Sequence, residues 1–189
     1  MPGVQHEEEK DMGYAVELYF DAHTEEQIRR VRRLLKQKGI SALVSPDTDR
    51  PHISLATFTH VPEDRLLSLV RDFAAGLHPI PLQLGGMGTF PDTDNVLFLL
   101  PVPSVSLLRW HGAFSAHLSA AQLTSNRHYL PGNWIPHCTV EMNLPAPLML
   151  QAMENLRTSF QPLQGHISEI GVVRFHPVKV LSTWKLGSG

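Results

Sequence analysis

Two strings in this chain hold the residues for phosphoryl-transfer chemistry: Pro51-His52-Ile53-Ser54-Leu55 and Pro136-His137-Cys138-Thr139-Val140. Each reads proline, histidine, apolar, hydroxyl, apolar, and His137 lies 85 positions after His52. On a β-strand, residues i and i+2 share a face while i+1 and i+3 take the other. His52 and Ser54 are therefore expected on one face over Ile53 and Leu55, and His137 and Thr139 over Cys138 and Val140. Cleaving a phosphodiester without a metal needs one group to take a proton from the nucleophile and another to protonate the leaving oxygen. Histidine serves both roles near neutrality. Hydroxyl donors fixed beside each imidazole can hold the phosphate's non-bridging oxygens in line.

Of the eleven histidines, His52, His117, His137 and His166 have Ser or Thr two residues on. His117 lies in a segment that reads as helix, where i and i+2 do not face each other. His166 has no preceding proline, and Glu169 interrupts its apolar face. Only His52 and His137 stand in matching alternating segments that begin just after a proline.

The elements that must position them come in two similar series. Tyr14–Phe20 reads as a strand, followed by a helix with a capping pattern at Thr24 and Gln27, apolar Ile28, Val31 and Leu35, and Gly39 after its last turn. Its Arg29, Arg30, Arg32, Arg33, Lys36 and Lys38 read as a solvated face balanced by Glu25 and Glu26. A strand over 41–44 and a turn at 45–50 lead into the first motif strand, which runs to about Phe58. A helix then follows Pro62 and stops near Gly76. Strands over 80–84 and 95–100 flank a turn-rich stretch at 85–94, and a third helix spans about 104–123. The second motif strand, a fourth helix over about 146–160 and strands over 167–175 and 178–186 complete the chain. The fold expected is α+β, internally duplicated and two-lobed: antiparallel sheets line a central cleft, with helices outside. Residues 1–13 read as a flexible tail, 14–186 as a single two-lobed domain and 187–189 as a flexible end.

Composition narrows the partners. The hydrophobic fraction of 42% and charged fraction of 18% are those of an ordinary globular protein. A net charge of −2 argues against gripping long duplex nucleic acid, which needs many cationic phosphate contacts. No apolar run approaches membrane-spanning length, and the start has no leader pattern, so a cytoplasmic location is the expectation. A monomer is the expected state. The lone cysteine, Cys138, excludes an intramolecular disulfide and reads as a small core residue. A metal hydrolase is the rival suggested by the histidine count and by Pro-Asp-Thr-Asp at 46–49 and 91–94. No His-x-His or His-Glu-x-x-His spacing supports it, and the tetrapeptide is a natural turn.

Arg50-Pro51-His52-Ile53-Ser54-Leu55-Ala56-Thr57-Phe58, Gly85–Pro91, Trp134–Val140 and the closing segment 167–177 together resemble the 2H phosphoesterase superfamily of 2′-5′ RNA ligases and cyclic phosphodiesterases. The resemblance spans about residues 14–186. It implies a two-lobed fold and metal-independent hydrolysis of 2′,3′-cyclic phosphates, or of 2′-5′ linkages, on nucleotides or RNA ends. It implies no cofactor and no metal, His52 and His137 as the acid/base pair, and Ser54 and Thr139 as phosphate binders. His137 is expected to activate the water and His52 to protonate the leaving oxygen. Tyr19, Phe20, Phe90 and Trp134 are candidates for stacking on a base. The arginine that some ligase-like members carry after the second motif is replaced here by Glu141-Met142-Asn143. Arg174, Lys179, Arg127 and Arg50 are candidates for its substitute. A nucleotide sensor with little turnover, or an RNA 2′-5′ end ligase, are the alternative activities on the same scaffold.

Overall fold

The computed structural model describes residues 13–41, 43–91, 94–175 and 177–187. Its elements are β1 (Gly13–Phe20), α1 (Ala22–Gln37), β2 (His52–Phe58), α2 (Glu63–Ala75), β3 (Ile80–Thr89), β4 (Leu97–Pro101), α3 (Val105–Ala120), β5 (Cys138–Glu141), α4 (Ala146–Ser159), β6 (Leu163–Phe175) and β7 (Lys179–Lys185). A short 3-10 turn, Arg127–Tyr129, lies between α3 and β5.

The seven strands form one antiparallel sheet in the order β2-β1-β6-β3-β4-β5, with β7 also paired to β6. Exchanging β1 with β4, β2 with β5 and β3 with β6 maps this order onto itself. The duplicated two-lobed architecture is thus written into the strand order, and the two halves meet at β3 and β6. Strand β6 is the hand-over. Its residues Leu163–Ile167 pair with β3, and from Ile167 to Phe175 it pairs with β1. The two motif strands are the free ends of the series, and they lie against each other, so the sheet curls until its ends meet.

Alternation decides what each strand buries. Ile53 and Leu55 of β2 are buried with Val16, Leu18 and Phe20 of β1, and Cys138 and Val140 of β5 are buried with Leu97 and Leu99 of β4. They form one core with Ile28 and Leu35 of α1, Leu66 and Val70 of α2, Phe114 of α3 and Ala152 and Leu156 of α4. Each of the Val, Leu, Ile and Phe side chains among them contributes about 1.5–3 kcal/mol on burial. His52, Ser54 and Thr139 stay half-exposed on the alternate positions.

Several local expectations are corrected. The cap of α1 is Asp21 rather than Thr24: its carboxylate accepts from the Thr24 N–H at 2.9 Å, from the Thr24 hydroxyl at 2.9 Å and from the His166 N–H at 2.6 Å. The described residues of 41–44 form no strand. Instead Glu141, itself buried, accepts the Leu43 and Val44 N–H groups at 2.9 and 2.7 Å, so a carboxylate replaces a ladder. Gly85–Thr89 is strand rather than turn, because β4 pairs with Gly86–Thr89 along its edge. Gly13, expected in the tail, pairs with Phe175, while residues 1–12 lie outside the described residues. Gly187, expected in the loose end, donates to the Leu77 carbonyl at 3.1 Å and accepts from His78 at 2.8 Å. The second Pro-Asp-Thr-Asp falls partly outside the described residues.

Candidate active site

The site lies where β2 and β5, the two ends of the sheet, approach each other. His52 opens β2 opposite Tyr19 of β1, and Ser54 stands opposite Glu17, after a bulge in which the register skips Leu55. His137 stands just before β5 rather than within it, and Thr139 stands opposite Phe98 of β4.

Both imidazoles are anchored in the same way. His52 Nδ1 donates to the Arg50 carbonyl at 2.9 Å and His137 Nδ1 donates to the Ile135 carbonyl at 2.8 Å. A carbonyl only accepts, so the hydrogen sits on Nδ1 in both rings. In each neutral ring Nε2 then keeps its lone pair for proton transfer. Burial pulls His137 below the ordinary imidazole value. The Ile135 carbonyl pulls the other way, and charge on His52 adds to the lowering. The two rings are thus near enough to sense each other's charge.

Their surroundings differ. His137 sits in an aromatic corner, edge-on to Phe90 at 4.9 Å and tilted against Phe98 at 5.2 Å. Phe98 comes that close because Gly88 has no side chain: a Cβ there would stand 2.8 Å from the phenyl ring. His52 sits in a polar corner. Its Nε2 is 3.5 Å from Glu17 Oε1, and Tyr19 donates its hydroxyl to Glu17 Oε2 at 2.7 Å. Arg50 lies 3.8 Å over the Tyr19 ring, donates to Glu25 at 2.8 Å and also binds Glu169. Burial, then the Glu17 carboxylate, pushes the Tyr19 phenol well above its ordinary value, so it stays a hydrogen-bond donor.

The seam between the strand ends is laced by side chains. Trp134 Nε1 donates to the Ser54 carbonyl at 3.0 Å, and its ring stacks on His111 at 4.1 Å and 8°. The His111 ring is held in turn by donation to the Tyr129 carbonyl at 2.8 Å. Burial pushes the Tyr129 phenol up, with Ser54 and Thr57 opposing that rise. Arg32 of α1 reaches across the seam. It donates to the Asp49 carbonyl ahead of β2 and to the Thr139 carbonyl of β5, the latter at 2.7 Å.

Among the sequence-predicted residues, His52, Ser54, His137, Thr139, Phe90 and Trp134 are brought together. Others are not available as expected, and Phe20 is 2% exposed in the core. Tyr19 is 1% exposed, its ring packed under Arg50 and over Gly171, so it has no face left for a base. Arg174 pairs with Tyr14 at the far end of β1 from Tyr19 and His52, and its guanidinium lies 3.6 Å from Glu63 of α2, on the helical side. Lys179 pairs with Arg174 and shares that remoteness. Arg50 is the candidate cation beside the site, and it is already held by two carboxylates. Arg32 is also a correction: it is 4% exposed rather than part of a solvated stripe.

Sequence reasoning missed Glu17, Phe98, Tyr129, His111 and the bridging role of Arg32. A signal existed for Glu17, the lone charge in an otherwise apolar strand and on the parity of Tyr19. Tyr129 and His111 had none. Among the described residues, no three His, Cys, Asp or Glu side chains gather in a metal-binding arrangement, and no helix is long and apolar enough to cross a membrane.

An antiparallel duplicated sheet with a histidine–hydroxyl pair at each end defines a class of proteins, and the comparisons agree on which. The model of the 2′-5′ RNA ligase superfamily matches residues 20–178, and the chain belongs to that family, within the 2H phosphoesterase superfamily. Among solved structures, TT0787 of Thermus thermophilus is similar at a TM-score of 0.65 and 18% identity, over 92% of this chain and 97% of that one. E. coli LigT complexed with 3′-AMP is similar at 0.64 and 16%, over 93% and 98%. Usb1 of Kluyveromyces marxianus is similar at 0.50 and 16%, over 94% and 99%. These likenesses show the fold. No curated protein sequence matches the chain significantly.

Proposed function

We propose that this protein is a two-histidine phosphodiesterase that opens 2′,3′-cyclic phosphates on nucleotides or short RNA ends. The observation that carries the reading is the matched anchoring of His52 and His137, each through Nδ1 to the carbonyl two residues back, with a hydroxyl residue two positions on. The complex of LigT with 3′-AMP supports a nucleotide as ligand for this scaffold.

His137, depressed by burial in its aromatic corner, stays neutral at neutral pH and accepts the proton of the attacking water. The water oxygen bonds to phosphorus as one ribose P–O bond breaks. His52 gives its Nε2 proton to the departing ribose oxygen, leaving a phosphate monoester and a free neighbouring hydroxyl. Ser54 and Thr139 donate to the non-bridging oxygens as charge builds there. Trp134 or Phe90 offers a ring for the base.

The test is turnover of 2′,3′-cyclic nucleotides and of an oligonucleotide ending in a cyclic phosphate, with EDTA present. His52→Ala and His137→Ala should each lower kcat by about 10²-fold or more with folding retained. Wild-type turnover in either single variant, or loss of activity to EDTA, would refute the paired mechanism.

A further inference from the structure

The scaffold is symmetric, but the two histidines do not have symmetric neighbours. Under the exchange that maps the strand order onto itself, β1 corresponds to β4 and β2 to β5. Glu17 stands opposite Ser54 in one half, and Phe98 stands opposite Thr139 in the other. At corresponding positions, then, one histidine–hydroxyl pair faces a carboxylate and the other a phenyl ring.

The carboxylate is built in. Glu17 is 8% exposed. Its Oε2 accepts from Tyr19, whose ring is wedged over Gly171, where a Cβ would stand 2.6 Å away. Arg50 caps that ring from above and is itself fixed by Glu25 and Glu169. This leaves Oε1 to face His52 Nε2 at 3.5 Å, beyond an ordinary hydrogen bond. Because the His52 Nδ1 hydrogen is committed to the Arg50 carbonyl, a neutral ring would point its Nε2 lone pair at the carboxylate. Only the protonated ring presents an N–H there.

We propose that Glu17 is a positioning residue that makes His52 the proton donor of the pair, with Phe98 leaving His137 as the acceptor. This rests on the two-histidine reading and names what breaks its symmetry. The 3.5 Å separation keeps the Nε2 proton close to Glu17 without committing it there. An incoming ribose oxygen can take that proton as its bond to phosphorus breaks, and the electron pair of that bond forms the new O–H. Glu17 changes neither charge nor covalent state. The same carboxylate stands close to where an anionic phosphate must bind, so it opposes binding while it assists the chemistry.

Two consequences separate this role from a structural one, and both are read on Glu17→Gln, with Tyr19→Phe as the variant that frees the carboxylate. On adenosine 2′,3′-cyclic phosphate, whose ribose leaving oxygen needs a proton, kcat should fall about tenfold in Glu17→Gln while KM stays level or drops. On a p-nitrophenyl ester of a nucleoside phosphate, whose leaving group departs unprotonated, the loss should be less than about twofold. Tyr19→Phe should move the same quantities in the same direction by less. Equal losses on the two esters, or an unchanged kcat with a raised KM on the cyclic substrate, would overturn the assignment of Glu17 while leaving the two-histidine esterase intact. If the wild type turns over neither ester, the functional reading falls and this inference falls with it.

Discussion

Arg32→Met is the substitution whose outcome follows most directly from the packing. Arg32 projects from α1 into the seam between the ends of the sheet and is 4% exposed. It donates to the Asp49 and Thr139 carbonyls, the first just ahead of one motif and the second on the hydroxyl residue of the other. Methionine keeps the apolar stem but ends about where Nε lies, so both acceptors lose that partner. Each charge-assisted hydrogen bond is worth about 1.5–3 kcal/mol. Against this, burial already strains the cation: it pulls the guanidinium below its ordinary value, and the Arg32 Nε is among the described buried atoms without a hydrogen-bond partner. Relief of that desolvation offsets part of the loss. The net expectation is about 3 kcal/mol of destabilisation, or roughly 6–12 °C in Tm for a chain of this size. Arg32→Lys, which keeps the charge but cannot span both carbonyls, should fall between. The assay is thermal unfolding followed by circular dichroism, with kcat measured well below the transition, where loss of the tie to Thr139 should still lower turnover. If Arg32→Met melts within about 2 °C of wild type, the bonds across the seam do not hold the halves together and the reasoning is wrong.

Two further outcomes are expected. The Cys138 thiol is pushed up to about 11, mainly by burial, with the nearby Arg32 charge opposing. Native protein at pH 8 should therefore resist iodoacetamide and react only once urea unfolds it, and alkylation of the native state at a free-thiol rate would contradict the packing. Burial also holds both His111 and His137 below their unfolded value of 6.5. The unfolded chain then binds more protons just below that pH, so their contribution is full above 6.5 and is lost as pH falls through the folded values. Urea midpoints should drop as pH is lowered below about 6.5, and His111→Gln should flatten that slope, since an amide does not titrate there. Asp21, held low by the Thr24 and His166 hydrogen bonds against its own desolvation, contributes its loss only in the lower window beneath 3.8.

The sequence by itself determined the features set by a period of two along a single strand. Ile53 and Leu55 had to be buried together, with His52 and Ser54 on the other face, and Cys138 and Val140 had to be buried beneath Thr139, because successive side chains on a pleated strand alternate. The order of strands and helices made the duplication legible too, since each half repeats the same series. Tertiary structure decided everything that depends on which strand lies beside which. The pairing of β1 with β2 and the skip at Leu55 put Glu17 opposite Ser54, and no periodicity within either strand contains that register. Arg32 sits among charged neighbours on a helix whose pattern reads as solvated; only the approach of β5 to the loop before β2 covers it. Gly85–Thr89 has the local composition of a turn, yet pairing along β4 makes it strand and lets Phe98 lie over Gly88 against His137. Local periodicity chooses the face a side chain occupies, whereas its partners are chosen by contacts between segments far apart in the chain, which is why the shared face of His52 and Ser54 could be read from the sequence and the register that sets Glu17 opposite Ser54 could not.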